Sequence, residues 1–177
     1  DDPDVGSCLR CLHYDDGTSS RGTVRRRELR EVLRNAPTSL PGTGRGVIQC
    51  VGGSLYTQLG AVTTGVLQST GCMLPIEWWH LGRHEFDPAM AKLAGALGVK
   101  VVDASEVAKR VQYPGVLNGY ELKAFALRYT DLAEVLLLDA DNVVTGDPTY
   151  LFDTPEYRQY GAVLWTDLPP ATRPEWI

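Results

Sequence analysis

The chain has 177 residues, of which 44% are hydrophobic and 22% charged, and its formal net charge is −5. That length and balance support one globular domain with a sizeable core and exclude a disordered or fibrous chain. The acidic balance speaks against binding nucleic acid by neutralising phosphates, and no apolar run approaches the ~18 to 20 residues of a membrane-spanning helix.

Residues 1 to 22 are rich in Gly, Asp and Ser, and "TSLPGTGRG" (38 to 46) is a second stretch of chain breakers. Between them "TVRRRELREVLRNAP" predicts one surface helix ending before Pro37. Its basic knot, Arg25, Arg26 and Arg27, reads as a solvated helix face or the rim of an anionic site. Residues 1 to 45 are therefore expected to form a leader, followed by a domain from 46 to 177. The chain starts on Asp1 and stops at "RPEWI", which suggests a piece of a longer protein, truncated at its C-terminal side. Four cysteines (Cys8, Cys11, Cys50, Cys72) permit three disulfide pairings. Cys8, Cys11 and His13 would need a second ligand pair to build a structural zinc site, and Cys50 and Cys72 each stand alone in apolar surroundings.

From Gly46 onward, short β-rich runs alternate with stretches of helical period. "GVIQCV" predicts a strand and "GGS" a turn; Leu55, Leu59, Val62 and Val66 then mark the expected inner face of a helix. "PIEWWHL" is a second strand, after which Asp87 should cap a helix with Pro88 at its first position and Met90, Leu93 and Leu97 inward. "GVKVVD" is a third strand and "ASEVAKR" a short helix. "GYELKAFALRYT" is a helix with Leu122, Phe125, Ala126 and Tyr129 on one face. "EVLLLDAD" is a fourth strand and "GAVLWTD" a fifth.

Strands alternating with helices imply crossover connections, hence an α/β fold with a mostly parallel sheet covered on both faces. The unbroken block from Val135 to Leu138 then reads as a central strand. Ligands of such sheets bind beyond the carboxyl ends of the strands, where Gly52, Gly53, Asp103, Asp139, Asp141 and Asp167 would converge.

Asp139 and Asp141 are the chemically telling pair. Two carboxylates so close repel unless a cation shares them, and hard oxygen ligands suit Mn²⁺ or Mg²⁺ delivered with a diphosphate. Three metal patterns compete. An EF-hand fails because Val143 and Val144 occupy positions that need an oxygen ligand and Gly. A phosphatase-type D-x-D-x-V fits literally, with Asp139 as nucleophile and Asp141 as acid, but that motif follows a first strand and needs a downstream Lys, and none occurs after Lys123. The third is the D-x-D of nucleotide-sugar transferases. A module that binds a sugar nucleotide without transferring it also remains open. His80 and His84 read as structural.

Several blocks together narrow the choice. "GVIQCVGGSLY", "GCMLPIEWWHLGRHEFDP", "LGVKVVDA", "GYELKAFAL", "VLLLDADNVVTGDPTYLFDTPEY" and "GAVLWTD", in this order, resemble the fungal, Mnn-type α-mannosyltransferase family, itself similar to the glycogenin-like retaining transferases. The resemblance covers residues 46 to 177. It implies a GT-A (Rossmann-like) fold, a Golgi-lumenal domain behind a membrane anchor not contained in this chain, and transfer of mannose from GDP-mannose to a glycan acceptor. It further implies Asp139 and Asp141 as metal ligands, Lys123 as a catalytic and donor-binding residue, and Gly52, Gly53 and Tyr56 as the first donor-binding turn. Asp103 would reach a ribose or base, or cap a helix, and Asp167 would join the donor side. Acceptor-side residues and a further metal ligand are expected beyond "RPEWI".

Overall fold

The computed structural model describes residues 42–164, all within the unit spanning Leu40–Ile177. The leader helix, the Arg25 to Arg27 knot, Cys8, Cys11, His13 and Asp167 lie outside the described residues. In chain order the elements are β1 (Arg45–Cys50), α1 (Gly53–Ser69), β2 (Ile76–His80), α2 (Pro88–Leu97), β3 (Lys100–Asp103), α3 (Ala104–Arg110), α4 (Glu121–Tyr129), β4 (Glu134–Leu137), a 3₁₀ helix (Pro148–Asp153) and α5 (Pro155–Tyr160).

The four strands form one sheet in the order β3-β2-β1-β4, every pair parallel. Val47 lies opposite Ile76 on one side and Leu136 on the other, which sets the register of the whole sheet. Successive side chains of a strand point to opposite faces, so each strand feeds two cores. Val47, Trp78, Leu136 and Leu138 face a core with α1 and α2, whereas Ile48, Trp79, Val135 and Leu137 face one with α3 and α4. This is the α/β, Rossmann-like, parallel architecture expected of a GT-A fold.

Local signals explain the helix ends. Asp87 caps α2 by accepting the Met90 amide at 2.9 Å, Pro88 occupies the first turn, and Gly98 terminates the helix in the left-handed region at φ 67°. A carboxylate buried in β2 ties the opposite end of the sheet together. Glu77, 3% exposed, accepts from Trp79 Nε1 (2.9 Å), Thr130 Oγ1 (2.8 Å) and Lys100 Nζ (2.8 Å), so its charge is both paired and fully hydrogen-bonded.

Two expectations are corrected. The inner face of α1 is not Leu55, Leu59, Val62 and Val66: Leu55 is 64% and Val62 61% exposed, while Thr57, Gly60, Thr63, Thr64 and Leu67 are buried. The sheet beneath presents a polar side chain, Gln49, to which threonines bond. In α2 Leu97 packs against the core as expected, but Leu93 lies at the surface and Ala94 is the fully buried residue. Among the described residues β4 pairs with β1 alone. Its apolar block meets helices on both faces, and Glu134 to Leu137 are half-buried among the described residues. Of the anticipated fifth strand, Gly161 to Leu164 carry no strand pairing, and the rest lies outside the described residues.

Candidate functional site

The strand order places a topological switch between β1 and β4. The chain leaves β1 outward to β2 and β3, then returns to the other flank of β1 as β4. The two turns that follow β1 and β4 therefore flank one crevice at the carboxyl edge, the position at which open α/β sheets bind ligands.

After β1 the chain turns at Gly52 and Gly53 into α1. Gly53 has φ +71°, a left-handed conformation that glycine adopts without steric cost, and open space lies where its Cβ would be. Gly52 has a different reason to be glycine: a Cβ there would collide with the carboxylate of Glu85. Glu85 is held in place by the Leu81 amide on its Oε2 (2.7 Å), and its carbonyl receives the Gly53 amide at 2.9 Å. Gly52 thus accommodates a neighbouring side chain as well as a turn. Glu85 went unnoticed in the sequence, where nothing in "GRHEFDP" marks it. No side chain caps α1 and no acidic residue stands in its first turn, so the positive end of a 17-residue helix opens toward the crevice with Tyr56 exposed in its first turn.

After β4 the Leu138 amide bonds to Ile48 O at 2.9 Å, extending the pairing by one residue. Asp139 to Asn142 then form a turn closed by the Asn142 amide on Asp139 O at 3.0 Å. Ala140 is buried between the two carboxylates, while Asp139 is half-buried and Asp141 exposed. Lys123, from the first turns of α4, reaches Asp139 Oδ1 at 2.5 Å; the two side chains are 39% and 42% exposed. That hydrogen bond raises the Lys123 pKa above its ordinary value, more than burial lowers it, so the group stays an ammonium. Cys50, at the end of β1, sits near the same pair, and burial pushes its thiol up to about 12.

The donor set suits a hard divalent ion. Asp139 and Asp141 supply carboxylate oxygens, and among the described residues no third His, Cys, Asp or Glu joins them, which leaves the remaining positions to water and ligand oxygens. The motif's strand is the fourth in chain order, a placement the phosphatase-type reading does not accommodate.

Two further residues stand away from the D-x-D turn. Asp103 follows β3, three strand spacings or about 14 Å from β4, and its Oδ1 caps α3 by accepting from the Ser105 (2.8 Å) and Glu106 (3.4 Å) amides, the helix-cap alternative anticipated for it. His80 is buried, stacked on Phe86 with ring centroids 4.6 Å apart, and its Nδ1 lies 3.0 Å from Gly82 O. Among the described residues a groove of about 500 Å³ starts at Lys123, Asp139 and Asn142 and runs along β4 to Phe152 and Tyr157.

Residues 44–176 match the model of a family described as "Mannosyltransferase putative". The chain belongs to this mannosyltransferase family. It is 32% identical over 159 residues to alpha-1,2-mannosyltransferase MNN22 of Candida albicans, a match covering 82% of this chain and 26% of that protein. It is 27% identical to alpha-1,2-mannosyltransferase MNN23 of the same organism, over 77% of this chain and 24% of that protein. Alpha-1,2-mannosyltransferase MNN5 of Saccharomyces cerevisiae is 27% identical, over 68% of this chain and 21% of its own length. The chain spans about a quarter of the length of the curated relatives it matches first. Among the described residues no helix is long and apolar enough to cross a membrane.

Proposed function

We propose that this member of the mannosyltransferase family takes part in moving mannose from GDP-mannose to a glycan acceptor, with retention and in α-1,2 linkage, in the Golgi lumen. What supports the reading is that Gly53 and the Asp139–Asp141 turn follow the adjacent parallel strands β1 and β4, with Lys123 paired to Asp139, in a chain that belongs to this family.

Breaking the bond between sugar and diphosphate develops positive charge at the anomeric carbon and negative charge on the leaving phosphate. Mn²⁺ or Mg²⁺ would be held by Asp139 and Asp141 and would supply charge against that phosphate. The chain's own part is to present groups that need no reorganisation as charge develops. Lys123 offers an ammonium that stays charged at neutral pH, and the uncapped N-terminus of α1 offers backbone N–H groups to an anion. Gly53 leaves room for a nucleotide to approach the backbone.

Calorimetry with GDP, with and without Mn²⁺, tests this reading alongside Asp141→Asn, which keeps the side chain's shape and removes its charge. We expect Mn²⁺-dependent GDP binding that Asp141→Asn weakens at least tenfold, the scale on which loss of a charged ligand acts. Equal affinity with and without metal refutes the metal assignment. Preference for UDP over GDP, or no mannose transfer from GDP-mannose to a mannoside by the full-length protein, refutes the donor.

A further inference from the structure

The polar side chains buried beneath the carboxyl edge form one directed chain of hydrogen bonds that ends on the D-x-D turn. Gln49, Thr63, Thr64 and Trp78 are each at most 2% exposed and pack beside the apolar cluster of Val47, Val51 and Leu67. Their donor directions follow from chemistry. An indole N–H can only donate, so Trp78 Nε1, 3.0 Å from the Gln49 amide, must face its oxygen. Thr64 Oγ1 donates to the same oxygen at 2.7 Å. The amide nitrogen of Gln49 then faces Thr63 Oγ1 at 2.8 Å and donates to it.

Thr63 Oγ1 is thereby used as an acceptor, which frees its own proton. Two carbonyls stand within reach: Gly60 O at 3.1 Å and Ala140 O at 3.2 Å. Gly60 O, inside α1, already receives an amide four residues on. Ala140 is 4% exposed, and among the described residues no other donor reaches its carbonyl; the Asn142 amide goes to Asp139 O instead. A buried carbonyl without a partner costs about 1 to 3 kcal/mol, so the hydroxyl proton serves Ala140.

We propose that Thr63 is a positioning residue for the metal-binding turn: held by Gln49, which Trp78 in turn fixes, its hydroxyl fixes the Ala140 carbonyl and so the direction in which Asp141 projects. The inference rests on the metal reading of Asp139 and Asp141. The Ala140 carbonyl belongs to the same peptide plane as the Asp141 amide, so anchoring one end of that plane anchors the backbone that aims the carboxylate. Groups that orient metal ligands without touching the metal typically contribute 10- to 100-fold in affinity. The chain of donors also couples the turn to β1, β2 and α1 at once, rigid elements on which a site is held more precisely than on a loop alone.

Thr64 supplies the control that separates positioning from mere stability. It belongs to the same network with comparable burial, but no hydrogen bond runs from it to the turn. Thr63→Val leaves both the Gln49 amide nitrogen and Ala140 O unpaired, whereas Thr64→Val leaves Gln49 Oε1 still bonded to Trp78. The experiment measures Mn²⁺ binding to the full chain by the electron paramagnetic resonance of free Mn²⁺, with and without GDP. Thermal melts and hydrogen exchange of the amides at 139 to 142 in metal-free protein accompany it. Both Val variants should melt lower than wild type. Only Thr63→Val should bind Mn²⁺ about tenfold more weakly and exchange faster at 139 to 142, and Thr63→Ser should restore both. Wild-type affinity in folded Thr63→Val, or an equal loss in Thr64→Val, overturns the proposal. If wild type binds no Mn²⁺, the metal reading fails, and exchange alone decides the tether: unchanged exchange in Thr63→Val overturns it, selective acceleration supports it. Should Thr63→Val not fold, Thr63→Cys, with its weaker S–H donor, takes its place under the same criteria.

Discussion

Replacing Lys123 with Met should change metal and nucleotide binding in opposite directions. In the structure the ammonium of Lys123 holds Asp139 Oδ1 at 2.5 Å, the oxygen that a divalent ion would need. An ion entering the turn must displace that ammonium and endure its charge nearby. Both side chains are about 40% exposed, so water screens the pair and its worth is roughly 0.5 to 1 kcal/mol. Removing the competitor with a side chain of similar length should therefore tighten Mn²⁺ alone by about two- to fivefold. With GDP present the displaced ammonium gains a new partner, the diphosphate. A charge-assisted hydrogen bond at a partly exposed site is worth about 1.5 kcal/mol, so GDP affinity should fall about tenfold in Lys123→Met. Turnover should fall further than affinity, because charge on the leaving phosphate grows along the reaction.

The sign of any pH effect follows from the raised pKa. Starting from an ordinary value of 10.5, Lys123 is pushed up chiefly by its hydrogen bond to Asp139. A raised pKa on a cation means that the pair's contribution is fully present below the unfolded value and is lost only as pH rises through the folded one. Titrations at about pH 6.5 and pH 8 should accordingly give the same Lys123→Met effect. Weaker Mn²⁺ binding in Lys123→Met without nucleotide would show that Lys123 supports the site rather than competing for it. Unchanged GDP affinity together with unchanged turnover would reduce Lys123 to a surface ion pair.

Glu77 provides a stability test at the opposite edge of the sheet. Glu77→Leu strands the Trp79 and Thr130 donors inside the core and should cost about 3 to 5 kcal/mol, whereas Glu77→Gln can still accept from both and should cost about 1 to 2 kcal/mol, with Lys100 turning to Asp131 and solvent. Urea denaturation ranks the two, and a Glu77→Leu protein as stable as wild type contradicts the reasoning. For Cys50, a thiol pushed up to about 12 by burial should alkylate with iodoacetamide at pH 8 on the order of a thousandfold more slowly than an ordinary cysteine of pKa about 8.5. Peptide mass spectrometry over time reads that rate, and labelling at the free-cysteine rate would mean that the end of β1 is open to solvent.

What could be read from the residues divides along a physical line. The alternation of strands and helices, the Asp87–Pro88 helix start and the D-x-D turn at a strand end were legible because each depends on local chemistry: periodicity, capping and turn preference. The α1 face was misread because Leu55 and Val62 keep a helical spacing that hydrophobicity rewards, while the face that packs is carried by Thr57, Thr63 and Thr64. Thr63 and Thr64 can be buried because Gln49 of β1 and Trp78 of β2 meet their hydroxyls, and Thr57 because Gly53 O and Met90 Sδ meet its own; most of these are tertiary pairings that periodicity does not report. Glu85 was invisible for the same reason: its relation to Gly52 is a tertiary contact across a parallel sheet.

The misreading of α1 also says something about how the site is built. An apolar contact between α1 and β1 would stabilise the sheet equally well, since leucine in place of threonine removes the burden of satisfying buried hydroxyls. Non-directional packing, however, cannot orient a carbonyl. The polar network lies under the crevice, one hydrogen bond from the D-x-D turn, whereas the same face farther down packs Val47, Leu67 and Ile76. Directional groups thus stand where a turn must be aimed, and apolar ones where a strand need only be covered. Exchanging Gln49, Thr63, Thr64 and Trp78 together for apolar residues of matching size leaves Ala140 O as the group without its partner, and should yield a chain that still folds, less stable by about 1 to 3 kcal/mol, and places Asp141 less precisely.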